Sequence, residues 1–229
     1  MLRIGLHGSA IYGEQRELPA SEDHPEYPLS PYGVSKLAAE RYLHFFEARY
    51  DLPYVALRCA NVYGLRQDLH GKTGVVAIFA SRQAAGQMCT INSSGEQTRD
   101  YVYAGDVARA NALALGGGVP SGAYNVGTGI ETSVNELYEM MAELSGNTLP
   151  AEHRPAKPSE QLRSAVDPAK AARVLGWHLE VGLSESLEKT LAFFGAVPDI
   201  RNCTSPDRSP PCLRFSAGRT RGHRNVYRG

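Results

Sequence analysis

Two side chains with complementary chemistry stand one helical turn apart in the pentad Tyr32-Gly-Val-Ser-Lys36. Residues at i and i+4 share a helix face, with Cβ atoms about 5–6 Å apart. A free phenol has a pKa of about 10 and is a poor base near neutrality. A fixed ammonium beside it favours the phenolate, and a pair so arranged can move a proton to or from a hydroxyl.

The elements that must position this pair alternate between strand and helix. Residues 2–6 read as a strand leading into Gly8-Ser9-Ala10-Ile11-Tyr12-Gly13, and a Pro-rich loop follows over 19–31. A helix is expected over 32–50, with Leu37, Tyr42, Leu43, Phe45 and Phe46 on its apolar side. Residues 53–59 read as a strand, 61–64 as a turn, 74–86 as a helix, and 89–91 and 100–103 as extended. A helix over 106–115 and a strand over 123–126 come next. Ser133 and Glu136 suit a capping box for a helix ending near 145. Helices over 168–175 and 183–195 close the body. Such alternation predicts an α/β fold with parallel pairing.

The bulk composition is that of an ordinary globular chain, 42% hydrophobic and 21% charged over 229 residues. Formal net charge is zero, but residues 198–229 hold seven arginines against two acids, so the remainder is acidic. An acidic body gives no reason to expect nucleic-acid binding. No stretch approaches the roughly 20 apolar residues of a membrane span, and the N-terminal apolar run is too short for a signal peptide. The cysteines at 59, 89, 203 and 212 lack metal-ligand spacing, as do the histidines. They read as reduced thiols of a cytoplasmic protein, two of them buried, and no metal is expected. Trp177 reads as a core residue. Beyond Val197 the periodicity stops, and 198–229 reads as a disordered basic tail.

The pentad stands in ordered company. Ala10-Ile11-Tyr12-Gly13-Glu14 precedes it, and Leu57-Arg58-Cys59-Ala60-Asn61-Val62-Tyr63-Gly64 follows. Next come Gly95-Glu96-Gln97-Thr98-Arg99-Asp100-Tyr101-Val102-Tyr103, Tyr124-Asn125-Val126-Gly127-Thr128-Gly129 and Leu175-Gly176-Trp177. In that order, over about residues 8–195, these segments resemble the extended short-chain dehydrogenase/reductase superfamily. Within it they are most similar to the NAD-dependent epimerase/dehydratase family, and to the bacterial UDP-glucose 4-epimerases in particular.

The resemblance implies the C-terminal part of a Rossmann-like doubly wound domain plus a small α/β substrate domain. Residues 1–70, with a return near 98–128, would form the partial NAD-binding domain; 71–197 would be mainly the substrate domain. NAD would be the cofactor and a UDP-sugar the substrate, epimerised at C4 through transient oxidation. Tyr32 would take the proton of the sugar 4-hydroxyl, Lys36 would hold the cofactor ribose, and Ser9 would be the hydroxyl donor. Cys59 falls at a cofactor-binding position, where the family more usually has Tyr. Asn61 matches the asparagine that hydrogen-bonds the nucleotide sugar, and Arg99 a diphosphate arginine suited to bidentate bonding. The ordinary alternative for Arg99 is a surface ion pair with Asp100. Lys157 and Glu160 fall at a second phosphate position and a uridine-ribose position, with Arg154 as an alternative to Lys157. Relatives of this kind pair through the Tyr/Lys helix and the helix before it, so a homodimer is one option.

No Gly-x-x-Gly-x-x-Gly or Gly-x-Gly-x-x-Gly run precedes the pentad. Such a run would hold a dinucleotide pyrophosphate at a helix N-terminus. The expectation is therefore an N-terminally truncated member, with activity impaired by the missing half. Two alternatives stand beside the epimerase. One is a non-catalytic fragment that at most binds UDP-sugar. The other is a nucleotide-sugar dehydratase, which would need acid–base residues where Ala10 and Ile11 stand.

Overall fold

The run Tyr54-Val-Ala-Leu-Arg-Cys59 is almost wholly apolar, and all six residues are buried. A strand covered on both faces reads as such a near-continuous run, as central parallel strands do. The computed structural model describes residues 3–68, 74–156 and 161–196. Strand β1 (Arg3–Gly8) passes through one 3-10 turn, Ser9–Ile11, into a long loop and then helix α1 (Pro31–Tyr50). Strands β2 (Tyr54–Cys59) and β3 (Asn61–Tyr63) and helix α2 (Val75–Ala84) follow. Then come strands β4 (Thr90–Asn92), β5 (Thr98–Arg99) and β6 (Tyr101–Tyr103), and helix α3 (Ala104–Leu115). Strands β7 (Gly122–Val126) and β8 (Thr132–Ser133), helix α4 (Val134–Ser145) and strand β9 (Glu152–Arg154) come next. Helices α5 (Ala169–Leu175) and α6 (Leu183–Phe194) are the last described elements.

The main sheet runs β1-β2-β7, parallel throughout. Ile4 lies opposite Val55 and Leu6 opposite Leu57; on the other side Leu57 faces Tyr124 and Cys59 faces Val126. Parallel neighbours need a crossover, and α1 supplies it between β1 and β2. The expected α/β architecture with parallel pairing is therefore present. Residues 61–64 are not merely the expected turn. Asn61–Tyr63 pairs parallel with Tyr101–Tyr103, and the Asn61 N–H donates to the Asp100 carbonyl at 2.8 Å. Strand β9, which no β-rich run announces, pairs parallel with β4.

Two apolar clusters fill the unit Met1–Pro198. One packs Leu57, Val102, Tyr124, Val126 and Trp177 about the sheet. Trp177 is 1% exposed, and its indole Nε1–H donates to the Asp106 carbonyl at 2.9 Å, as suits a core tryptophan. The other packs Phe79, Leu137, Met141, Leu187 and Leu191 among α2, α4 and α6. Helix α4 starts on the expected capping box: the Glu136 N–H donates to Ser133 Oγ at 3.1 Å, and the Ser133 N–H to Glu136 Oε2 at 2.7 Å. Cys59 and Cys89 are buried free thiols. Cys203, Cys212 and the arginine-rich run from 198 lie outside the described residues.

Helix α1 departs from its expected packing. Tyr42 is 67% and Phe45 52% exposed, while Leu37, Leu43 and Phe46 are only half-buried. The fully buried residues of this helix are Gly33 and Glu40. A glycine and a carboxylate, spaced by seven, thus mark the face that meets the sheet, with Leu37 between them packed against the core, while Tyr42 and Phe45 lie outside it.

Candidate active site

Helix α1 brings Tyr32 and Lys36 to a cavity of about 720 Å³, within the ordinary range of ligand sites. The helix begins where its sequence says it should. Ser30 caps it, accepting from the Gly33 N–H at 3.1 Å, and Pro31 occupies the first turn, where its missing N–H costs nothing. Gly33 lets the helix front close on the Ser9–Ile11 turn: a Cβ there would stand 2.5 Å from the Ala10 carbonyl oxygen.

The expected pair is assembled. Lys36 Nζ lies 5.4 Å from the centroid of the Tyr32 ring, within the reach of a cation–π contact. A Cβ on Gly8 would stand 3.6 Å from Tyr32 Oη, so the phenol lies against the end of β1. Ser9, 5% exposed, lines the same cavity, as do Cys59 and Asn61 from β2 and β3. Burial pushes the Cys59 thiol up to about 12, although the charge of Lys36 acts to lower it. Cys59 is thus a neutral thiol beside the pair.

A second cavity, of about 230 Å³, shares Asn61, Val75 and Tyr101 with the first. Arg99 lines it, its Nη1 donating to the Thr98 carbonyl at 2.7 Å. Asp100, its neighbour in sequence, is 1% exposed. Its carboxylate accepts from the Thr128 N–H and hydroxyl and from the Gly129 and Val166 N–H groups. Arg154 pairs with Glu152 at 2.9 Å and lines neither cavity. Lys157 and Glu160 lie outside the described residues.

Two features escaped the sequence reading. Tyr101 lines both cavities, and its buried Oη has no hydrogen-bond partner among the described residues. Burial pushes its pKa up, against the lowering charge of Arg99. Its place beside Arg99 in Arg-Asp-Tyr-Val was the available signal. The other is Arg58, 3% exposed at the end of β2 and bound to Glu40 of α1. A charge inside an apolar strand run was the signal there. No group of three metal-ligating side chains occurs among the described residues.

A parallel sheet with a Tyr/Lys pair on its crossover helix, opening on a cavity beside the strand ends, defines a short-chain dehydrogenase/reductase enzyme fold. The family model for the NAD dependent epimerase/dehydratase family matches residues 4–127, and the chain belongs to that family. It is 42% identical over 187 residues to the UDP-glucose 4-epimerase of Mycolicibacterium smegmatis, covering 82% of this chain and 60% of that protein. A crystal structure of the Thermotoga maritima UDP-glucose 4-epimerase with UDP-glucose superposes with a TM-score of 0.82 at 42% identity, covering 84% of this chain and 63% of that one. The Thermus thermophilus UDP-glucose 4-epimerase in complex with NAD gives 0.79 at 40% identity, over 84% and 63% of the two chains. The chain thus spans about 60% of the length of the curated relatives it matches.

NAD is the cofactor of this family. The donor set here fits its nicotinamide–ribose end: Tyr32 and Lys36 offer a hydroxyl and an ammonium, and Gly8 and Ala60 keep the wall beside them low.

Proposed function

We propose that this chain carries the machinery of UDP-sugar 4-epimerisation, interconverting UDP-glucose and UDP-galactose with NAD. One observation carries the reading: the Lys36 ammonium 5.4 Å over the Tyr32 ring, with the phenol against the Gly8–Ser9 strand end in a ligand-sized cavity.

Tyr32 accepts the proton of the sugar 4-hydroxyl and returns it after the sugar has turned over. Lys36 holds the phenol's charge and the ribose hydroxyls, and Ser9 donates to the 4-oxygen. Cys59 packs beside the nicotinamide end. NAD, when bound, supplies the reversible oxidation at C4. Asn61, shared by both cavities, binds the sugar nucleotide between its two ends, and Arg99 in the smaller cavity binds its diphosphate. In this reading residues 1–70, returning near 98–128, serve the cofactor and 71–197 mainly the substrate. Ala10 and Ile11, the latter fully buried, offer no acid or base for a dehydratase's elimination step.

The purified chain should interconvert UDP-glucose and UDP-galactose when given NAD. Tyr32→Phe should lower turnover by about 10²-fold or more while UDP-glucose binding stays nearly intact. Unchanged turnover in Tyr32→Phe would remove the role given to Tyr32. Binding of UDP-glucose without turnover in the wild-type chain would leave the non-catalytic, sugar-binding reading in place.

A further inference from the structure

We infer that the buried Glu40–Arg58 pair is a positioning device for Tyr32 and Lys36, fixing the roll of α1 over the cavity; the inference rests on the function proposed above. Neither residue lines either cavity, so neither acts on a ligand directly.

Helix α1 has two buried anchor points. Gly33 sets how closely its front approaches the Ser9–Ile11 turn. Glu40 sets the rest, 4% exposed on the same face two turns later. Both its carboxylate oxygens accept from Arg58, Oε2 from Nε at 3.1 Å and Oε1 from Nη2. The same guanidinium donates from Nη1 to Tyr12 Oη at 2.9 Å and to the Glu22 carbonyl at 3.1 Å, and from Nη2 to Glu26. Tyr12, directly after the turn that carries Ser9, passes the tie on to Asn125 of β7 at 2.7 Å. Arg58 itself directly precedes Cys59, Ala60 and Asn61, which line the larger cavity. One buried cation therefore joins the helix of Tyr32 and Lys36, the turn of Ser9 and the strand end beside Asn61.

Stability alone is a poor reason for this arrangement. A buried ion pair gains little over well-packed apolar residues, because desolvation cancels much of the attraction. A planar guanidinium meeting a carboxylate through two bonds supplies orientation, since it tolerates few relative angles. The leverage is large. A side-chain atom about 6 Å from the helix axis moves about 1 Å for a roll of about 10°, and a misplacement of about 1 Å can cost about 10²-fold in rate. Tyr32 and Lys36 each precede by one residue the inward positions Gly33 and Leu37, so a roll carries both across the cavity wall.

The test compares Glu40→Gln and Arg58→Lys with the wild-type chain by two readouts. In the epimerisation assay, Glu40→Gln should lower kcat about 10²-fold with KM for UDP-glucose within about twofold, the pattern of a loss confined to the reacting geometry. Arg58→Lys keeps the charge without the fork and should lose less. In NMR spectra of the folded chains, the Overhauser contact between the Tyr32 ring protons and Gly8 Hα, which joins α1 to the end of β1, should weaken in Glu40→Gln and persist in Glu185→Gln, an exposed control on α6. Unchanged kcat, a loss confined to KM, or an intact Tyr32–Gly8 contact in folded Glu40→Gln overturns the inference. A wild-type chain without turnover defeats the proposed function instead, and the Overhauser comparison then decides the positioning role alone. If Glu40→Gln does not fold, Arg58→Lys is read by the same two criteria.

Discussion

Replacing Gly33 by alanine sets two opposed effects against each other at a point the structure defines closely. Within a helix, alanine is favoured over glycine by about 1 kcal/mol, so an unobstructed position would gain stability. This position is obstructed. The added Cβ would meet the Ala10 carbonyl oxygen at 2.5 Å and the Pro28 Cβ at 2.8 Å, where ordinary contact begins at 3.4 Å. Neither neighbour is the far end of a flexible side chain. The front of α1 must therefore retreat by roughly 1 Å, and overpacking of this kind costs about 1–3 kcal/mol. The expected net is a loss of about 0–2 kcal/mol, and at about 2–4 °C per kcal/mol for a chain of this size the melting temperature falls by up to about 8 °C. Tyr32 is the adjacent residue and moves with the helix, so turnover should fall by about 10²-fold. Calorimetry and the epimerisation assay measure the two effects separately. A Gly33→Ala chain that melts higher than wild type with unchanged turnover would refute the close approach of α1 to the Ser9–Ile11 turn.

Two further outcomes follow from buried groups. Cys59 has its folded pKa raised by burial to about 12 from an ordinary 9.0. The stability it contributes is thus complete below about pH 9 and is lost as pH rises from there toward 12, at no more than about 1.4 kcal/mol per unit. Over that window the melting temperature of wild type should fall relative to that of Cys59→Ala, and a constant difference would show that the thiol is not desolvated as described. Asp100→Asn turns an acceptor into a donor facing the Gly129 and Val166 N–H groups, or the Thr128 N–H and hydroxyl if the amide is reversed. A buried donor left unsatisfied costs about 1–3 kcal/mol, so at least one should appear as a melting temperature lower by several degrees; an unshifted transition would contradict the bonding.

The sequence made legible what is local and left obscure what is held from afar. Tyr32 and Lys36 needed only a spacing of four and a helix, and both are where the spacing puts them, on one cavity wall. Strand β2 announced itself by an apolar run broken only at Arg58, and α4 by its capping box. Strands β3 and β9 have three residues each and exist because β6 and β4 pair with them, a fact no short window contains. Tyr101 stands out only because its hydroxyl lacks a partner among the described residues, which spacing alone cannot reveal. The buried face of α1, of which only Leu37 was foreseen, was missed for a more instructive reason. Its anchors are a glycine chosen for close approach and a glutamate matched to an arginine 18 residues away, and neither counts toward an apolar stripe. Arg58 likewise interrupts the apolar pattern of β2. Each looks like a defect in its own element and becomes intelligible only with its partner. Places where local pattern fails without harm to the fold are where function tends to be held. Here the two failures meet in one ion pair, beneath the helix that carries the proton-transfer residues.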